Sequence, residues 1–389
     1  MATFQSQFQD IVENTNRDIR ELSEIVTNKF KTSMLSEYFT IVPNIKGGLQ
    51  VGITVPGEKV TTGPSAPGSV DHQDFDVEAI HQRWDPRQLS VRIRLNYQNL
   101  ESHFTAWLLG NGHDRVDLRS SQILNWLLSI LNDRLSIDAY RIALLGGDQL
   151  KDGADSSSAA GVRKILTRDS DEKYYNRLDK GLLETLVDWK ANGLTNYTQL
   201  RDNFVTISKN EKVAGNQATS ATAARTLAYT LDSDYTSNLL EKLTDRDFNL
   251  GFIPDTIFLS PALCYNYKQT LRERGQSNGG QSIEQLRLGV SPDYFDNKPI
   301  LELHHYDRWR KNDFTNNADG ASKFRVHDPH FALLARKSDL RIGLDQEMAI
   351  SNIRVTFPDG NDEYVYLKAD YLLDFKFATP LKDAFACAL

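Results

Sequence analysis

The sequence predicts an α+β fold whose main parts are one long helix, a two-armed strand ribbon and a late run of strands. Three observations predict it. Leu118 to Leu145 carry helical periodicity and stop at Gly146, Gly147 and Asp148. Residues 49–96 hold alternating stretches joined by a polar tip rich in Pro and Gly. From Ile300 onward, strand signals dominate.

The first element is amphipathic. Phe4, Phe8, Ile11, Ile19, Leu22, Val26 and Phe30 share one helical face within residues 4–35, and the rest of that surface is dense in charge. A helix there needs a surface to lie on. Pro43, Gly47 and Gly48 end it. Leu49, Val51, Ile53 and Val55 then alternate with smaller or polar residues. Strand signal returns at Phe75–Trp84 and again at Leu89, Val91, Ile93 and Leu95. Each arm keeps one polar face, so the ribbon has little core of its own, and an isolated hairpin is marginal in water.

A short helix over Gln98–Leu109 and the break Gly110–Asn111–Gly112 lead to the long helix. There Leu124, Leu127, Leu128, Leu131, Leu135, Ile142 and Leu145 form one stripe. Ile123, Trp126, Ile130, Ile137, Tyr140 and Leu144 form a second. A helix with two apolar stripes is covered on more than one side. Asp117 can cap its start, and Gly146 is placed to take the left-handed conformation that ends it. About 28 residues at 1.5 Å each give a rod of about 42 Å.

Residues 149–180 are polar. Helices are expected at Leu182–Ala191, Thr219–Thr244 and Pro261–Gly275, with a strand at Thr256–Leu259. Gly275–Gln281 and Lys311–Ser322 read as loops. Strands follow at Ile300–Tyr306, Phe331–Ala335, Ile350–Phe357, Tyr364–Lys368 and Leu372–Thr379, with a hairpin turn at Asp359–Gly360. Ala384–Leu389 is apolar to the last residue, which predicts a docked segment.

Composition bounds the function. The 389 residues carry a net charge of −7 and no long Lys/Arg cluster, which argues against sequence-specific nucleic-acid binding. Arg119, Asp133, Arg134, Asp138 and Arg141 break the apolar run of the long helix, so no membrane span is expected. Met1–Asp10 reads as a polar helix start and not as a signal peptide. Cys264 and Cys387 are expected to be buried and reduced.

Catalytic patterns are missing. The sequence has no G-x-x-x-x-G-K-[ST] loop, no G-x-G-x-x-G after a strand and no G-x-S-x-G elbow. His304, His305, His327 and His330, with Asp307 and Asp328, are the one group that resembles a ligand set. Adjacent histidines on a strand point to opposite faces, so His304 and His305 are not expected to share a metal. The acids Asp169–Glu172, and Asp232 to Asp247 with Lys242 and Arg246, read as solvated surface. Trp107, Trp126, Trp189 and Trp309 read as core or interface anchors. No catalytic, cofactor-binding or metal-binding residue is assigned, and no enzyme activity is expected.

Taken in order, these elements resemble the major capsid protein of tailed bacteriophages, the Hong Kong 97 type. Phe4–Leu35 is similar to its N-terminal arm and Gly47–Asn96 to its extended E-loop. Leu118–Leu145 with Gly146-Gly147-Asp148 resembles its spine helix and closing turn. Pro254-Asp255-Thr256-Ile257-Phe258-Leu259-Ser260-Pro261 is similar to the axial-domain strand that leads into a helix. Phe331-Ala332-Leu333-Leu334-Ala335 with Leu340-Arg341-Ile342-Gly343 resembles the exit from that domain, and Lys368–Leu389 the closing strand.

The resemblance implies an arm at 1–43, an E-loop at 44–96, a P-domain at 97–183, an A-domain at 184–345 and P-domain return strands at 346–389. It implies a virion protein, assembled in the host bacterial cytoplasm. Its copies would form the pentamers and hexamers of an icosahedral head enclosing double-stranded DNA, held without sequence preference. The short N-terminal segment implies a separate scaffolding protein, beside portal and decoration partners. Some relatives join an E-loop lysine to a neighbour's asparagine. Lys46 and Lys59 lie in or near this loop, but no partner asparagine or catalytic acid is identified, so no cross-link is expected. An encapsulin-like compartment shell shares the fold and is the first alternative. A metal-dependent enzyme using the histidine group is the second.

Overall fold

The structure, a computed structural model, describes residues 34–55, 78–96, 134–148, 150–152, 163–166, 174–192, 203–205, 218–247, 254–277, 293–317, 324–326, 328–344, 354–356, 364–379 and 385–389. The expected arm helix through residue 33, the polar ribbon tip at 56–69, residues 75–77 of the strand expected from Phe75, the helix at 98–109, residues 118–133 of the long helix and the hairpin turn at Asp359–Gly360 lie outside them.

In chain order the strands are β1 (Thr40–Pro43), β2 (Gln50–Val55), β3 (Glu78–Arg83), β4 (Arg87–Asn96), β5 (Leu150–Asp152), β6 (Arg163–Leu166), β7 (Phe204–Val205), β8 (Thr256–Leu259) and β9 (Tyr294–Phe295). They continue with β10 (Lys298–Glu302), β11 (Thr315–Asn317), β12 (Phe324–Val326), β13 (Ala332–Ala335), β14 (Leu340–Leu344), β15 (Arg354–Thr356), β16 (Tyr364–Phe377) and β17 (Ala386–Ala388). The helices are α1 (Met34–Tyr38), α2 (134–145), α3 (Leu182–Asn192), α4 (Ala221–Ala228), α5 (Tyr235–Asp247), α6 (Pro261–Ser277) and α7 (Tyr306–Asp313).

β16 organises a five-stranded sheet. Of its 14 residues, those from Tyr364 to Leu373 pair antiparallel with β4 along one edge, from Tyr364↔Asn96 to Leu373↔Arg87. Along the other edge the strand pairs first with β15 and then with β14. The two strands expected at 364–368 and 372–379 are therefore one. β1 adds to β14 in parallel. The alternation in β4 predicts its faces: Leu89 is buried and Val91 and Ile93 pack on the core, while Gln88, Arg92 and Arg94 are exposed. Leu35, Tyr38 and Phe39, at the end of the expected arm, are buried in this same core.

The second sheet has six strands in the order β7-β17-β13-β8-β10-β9. Its central strands read T-I-F-L, A-L-L-A and A-C-A, apolar apart from Thr256, because both faces are covered. Phe258, Leu333 and Cys387 are in register and belong to the main core with Trp189 and Phe385. Ile257, Leu259, Ala332, Leu334, Ala386 and Ala388 face the other way, onto Leu239, Leu240 and Leu243 of α5 and Leu263, Tyr267 and Leu271 of α6. Each fully buried large side chain contributes about 1.5–3 kcal/mol by leaving water. The apolar C-terminus is docked as expected, and Lys190 Nζ donates to the backbone oxygen of Leu389 at 2.7 Å.

Two local expectations are corrected. The single helix expected over Thr219–Thr244 is two, α4 and α5, broken where Asp234 adopts φ 64°. The break is held by α6: Asn266 donates to Asp232 O at 2.9 Å and accepts from Thr236 N–H at 3.0 Å. Gly146 ends α2 without the left-handed conformation, since among the described glycines only Gly48 has positive φ. Its smallness serves close approach instead. A Cβ at Gly146 would lie 2.5 Å from Ile142 O, and one at Gly181 would lie 2.8 Å from Gly146 O. Gly181 N–H donates to Gly146 O at 2.8 Å, so the end of α2 is pressed onto the start of α3.

Candidate functional site

The feature that stands apart is the ribbon of β2 and β3. The strands pair from Gln50↔Arg83 to Val55↔Glu78. Among the described residues neither pairs with any other strand. The chain leaves the five-stranded sheet after β1 and returns to it as β4, and both crossing points are built tightly.

The root of the ribbon begins with Asn44 (φ 58°) and Gly48 (φ 83°), which turn the chain through left-handed conformations. Gly48 N–H donates to Trp84 O and Trp84 N–H to Leu49 O, each at 3.0 Å. Ile45, Val51, Trp84 and Ala378 form a small buried cluster. It sits on Gly343 of β14, where a Cβ would meet Ile45 Cδ1 at 2.6 Å and the Trp84 ring at 2.9 Å. Asp374 of β16, itself buried, accepts from Asp85 N–H at 2.7 Å and Phe375 N–H at 2.8 Å, with Lys376 Nζ at 3.4 Å. Burial holds its carboxyl above the usual carboxylate range, against the pull of Lys376 and the two N–H donors. Leu49, by contrast, stays 52% exposed at this locked root. Lys46 accepts Leu49 N–H with its backbone oxygen in the same turn; Lys59 lies outside the described residues.

A polar junction ties the two sheets together. Arg141 of α2 pairs with Asp313 of α7, and Tyr175 O–H donates to the same carboxylate oxygen at 2.6 Å. The guanidinium also lies over the rings of Tyr174, Tyr175 and Trp309, at 4.6, 5.1 and 5.7 Å. One turn earlier in α7, the fully buried Arg310 stacks on Phe314 at 4.2 Å and reaches Asp328 Oδ2 at 3.3 Å. Such pairs are expensive to break, because removal of one partner strands the other charge.

The described members of the histidine group, His304, His305 and His330, lie in two places. The chain does not continue as a strand through Tyr306: His305 takes φ 64° and α7 begins. The strand argument that separated His304 from His305 therefore does not hold, and both line one cleft of about 490 Å3 with Asp307 and Glu302. Among the described residues, however, no three His, Cys, Asp or Glu side chains converge as a metal site. His330 is buried elsewhere, edge-on to Tyr229; His327 lies outside the described residues. Asp307 Oδ2 accepts from Ala262 N–H at 2.7 Å at the start of α6, while its Oδ1 is buried without a hydrogen bond. Burial pushes the Asp307 carboxyl up to about 7. Cys264 and Cys387 are buried and in no disulfide, and burial pushes the Cys264 thiol up to about 11, which suppresses the nucleophilic thiolate.

Sequence reasoning did not single out Trp84, Gly343, Asp374 or the Arg141–Asp313 pair. A signal for the root was present: Trp84-Asp85-Pro86 interrupts two strand patterns with an aromatic, a turn former and a residue that cannot continue a ladder. Its partners on β14 and β16 lie far along the chain, beyond the reach of local patterns.

No family model matches the sequence, and neither does any curated protein. Solved structures with a similar course of chain are phage capsid and phage chains. A chain of the satellite phage P4 procapsid that includes the size determination (Sid) protein is 14% identical, with 94% of this chain and 98% of that chain covered and a TM-score of 0.48. A Mycobacterium phage Bobi chain is 13% identical, covering 92% and 90%, with a TM-score of 0.43. A chain from the mature capsid of bacteriophage PhiM1 is 12% identical, covering 92% and 86%, with a TM-score of 0.39. Among the described residues no helix is long and apolar enough to cross a membrane.

Proposed function

We propose that this chain is a major capsid protein of the Hong Kong 97 type, whose copies close into pentamers and hexamers of a phage head around double-stranded DNA. The observation that carries the reading is the ribbon: a two-stranded element, rigidly rooted at Trp84, Gly343 and Asp374, that pairs with no other strand among the described residues. Two strands alone are marginal in water. A locked root under a marginal ribbon suits an element that gains its order from another molecule. The ordered resemblance from Phe4–Leu35 through Lys368–Leu389 supports the same reading.

In this reading the five-stranded sheet with α2 forms the P-domain and the six-stranded sheet with α5 and α6 forms the core of the A-domain. The ribbon is the E-loop, laid over an adjacent subunit. Contacts of this kind are heterologous, one patch meeting a different patch on the next copy, and they close into rings when the rotation fits. Each contact can be modest, because a subunit held at several places leaves only when all release. The net charge of −7 suits a wall that encloses DNA without gripping it. The proposed setting is the virion, after assembly in the bacterial cytoplasm with a separate scaffolding protein, a portal and decoration proteins.

The test is electron microscopy of the purified full chain, beside a variant lacking Pro56–Ser69. Rings, sheets or closed shells are expected from the full chain, with assembly weakened in the deletion. A persistent monomer ends the reading, and a deletion that builds equally stable shells removes the clamping role.

A further inference from the structure

The cleft at the start of α7 carries more hydrogen-bond donors than its own chain uses. Arg308 and Asn312 line it, one helical turn apart on the same face of α7. Both are exposed, and among the described residues neither side chain makes a hydrogen bond or an ion pair. His305 joins them from the left-handed turn before the helix, its ring tilted against Trp309 at 5.7 Å. Lys311 completes the group, with its ammonium 3.9 Å from the centre of the Tyr229 ring.

The acids of the cleft are committed to their own chain. Asp307 Oδ2 accepts from Ala262 N–H at 2.7 Å, and its Oδ1 is buried, so neither oxygen is offered to a ligand. Glu302 lies 3.8 Å from His304 Nδ1 and accepts from the Cys264 thiol. Burial raises the Asp307 carboxyl to about 7, so near neutral pH it is partly protonated and repels an anion less. A cation in the cleft would find its oxygens already engaged. An anion would find a guanidinium, an amide, an imidazole and an ammonium.

Donors converging from several side chains suit an oxyanion with several acceptor oxygens, and the guanidinium fork matches a phosphate group in particular. The volume of about 490 Å3 is that of a small-molecule site. A nucleic-acid backbone would call for a basic stripe, whereas here Arg308 and Lys311 sit beside Glu302 and Asp307. We infer that the cleft between α7 and the start of α6 binds a phosphate group, free or carried by a small molecule, with Arg308 and Asn312 as its main donors and His305 and Lys311 beside them. The inference does not rest on the assembly reading above. A bound phosphate would brace α7, the helix whose Asp313 pairs with Arg141 of α2.

Isothermal titration calorimetry of the full chain tests it, with inorganic phosphate as the probe and no other oxyanion in the buffer. Binding at one site per chain is expected. A second arm uses adenosine monophosphate: tighter binding would identify a phosphate carried by a small molecule, and equal or weaker binding a free one. Arg308→Ala is expected to weaken phosphate binding at least about tenfold, and Asn312→Ala about threefold, the scale of one lost charge-assisted hydrogen bond and one weaker one. Arg272→Ala removes an exposed cation about 16 Å further along α6 than Pro261 and should change nothing. Circular dichroism checks that each variant folds. Absence of phosphate binding, unaltered binding in a folded Arg308→Ala protein, or an equal loss in Arg272→Ala overturns the inference. Stoichiometric zinc uptake in place of phosphate, abolished by His305→Ala, would make the cleft a cation site and overturn it as well.

Discussion

The six-stranded sheet and the ribbon solve the same problem in opposite ways. In the sheet, every central strand is covered on both faces by its own chain: Phe258 and Leu333 toward the main core, Ile257 and Leu334 toward α5 and α6. Among the described residues, β2 and β3 pair only with each other, apart from the cluster at the root. On the proposed reading, the contrast assigns stability and association to different parts of this molecule. Changes in the sheet should report on folding, and changes in the ribbon on contacts between copies.

The largest effect is expected in the sheet. Phe258→Ala should lower unfolding free energy by about 3–5 kcal/mol, measured by urea denaturation, because a fully buried ring leaves a cavity. A loss below about 1 kcal/mol would mean that the sheet is not the folding core. Gly343→Val tests the root. The new side chain would collide with Ile45 and Trp84, at an expected cost of about 1–3 kcal/mol. Limited proteolysis should then cut residues 56–77 faster than in wild type; an unchanged rate would separate the root from the ribbon's order.

Smaller effects concern Asp307 and Leu49. Burial raises the Asp307 carboxyl to about 7, so the folded chain binds a proton that the unfolded chain releases near pH 4. The carboxyl then makes stability fall as pH rises between about 4 and 7. Asp307→Asn should remove that part of the slope in melting temperature against pH, leaving the parts due to Asp339 and Asp374, whose carboxyls burial also raises. Identical profiles for the two proteins would refute the assignment. Leu49→Ser should shift monomer stability by no more than about 0.5 kcal/mol, because the side chain is 52% exposed. Light scattering should nevertheless register weaker association, and a variant that unfolds instead would erase the distinction between the two regions.

Much of this plan was legible in the chain. The apolar runs Thr256–Leu259 and Phe331–Ala335, the alternation of Arg87–Asn96 and the docked Phe385–Leu389 all follow from local pattern, since a residue's period and hydropathy determine which face it can bury. What local pattern missed depends on distant partners. The break at Asp234 is held by Asn266 and Thr270 from α6, although Asp232-Ser233-Asp234 is a helix-start signal that could have been read. The turn at His305 gave no warning beyond an interrupted alternation. Asp374 looks like any strand-face acid until Asp85 is brought against it, across most of the chain.

β16 has a mechanical consequence. The chain that carries the ribbon re-enters the body as β4, and β4 meets β16 over an unbroken ladder from Leu373↔Arg87 to Tyr364↔Asn96. Tension on the ribbon would have to shear that ladder as a unit, not peel it rung by rung. In a shell of the proposed kind, the subunit should therefore outlast its grip on a neighbour under strain. Single-molecule pulling through the ribbon would contradict this if β4 and β16 separated at a lower force than two copies do.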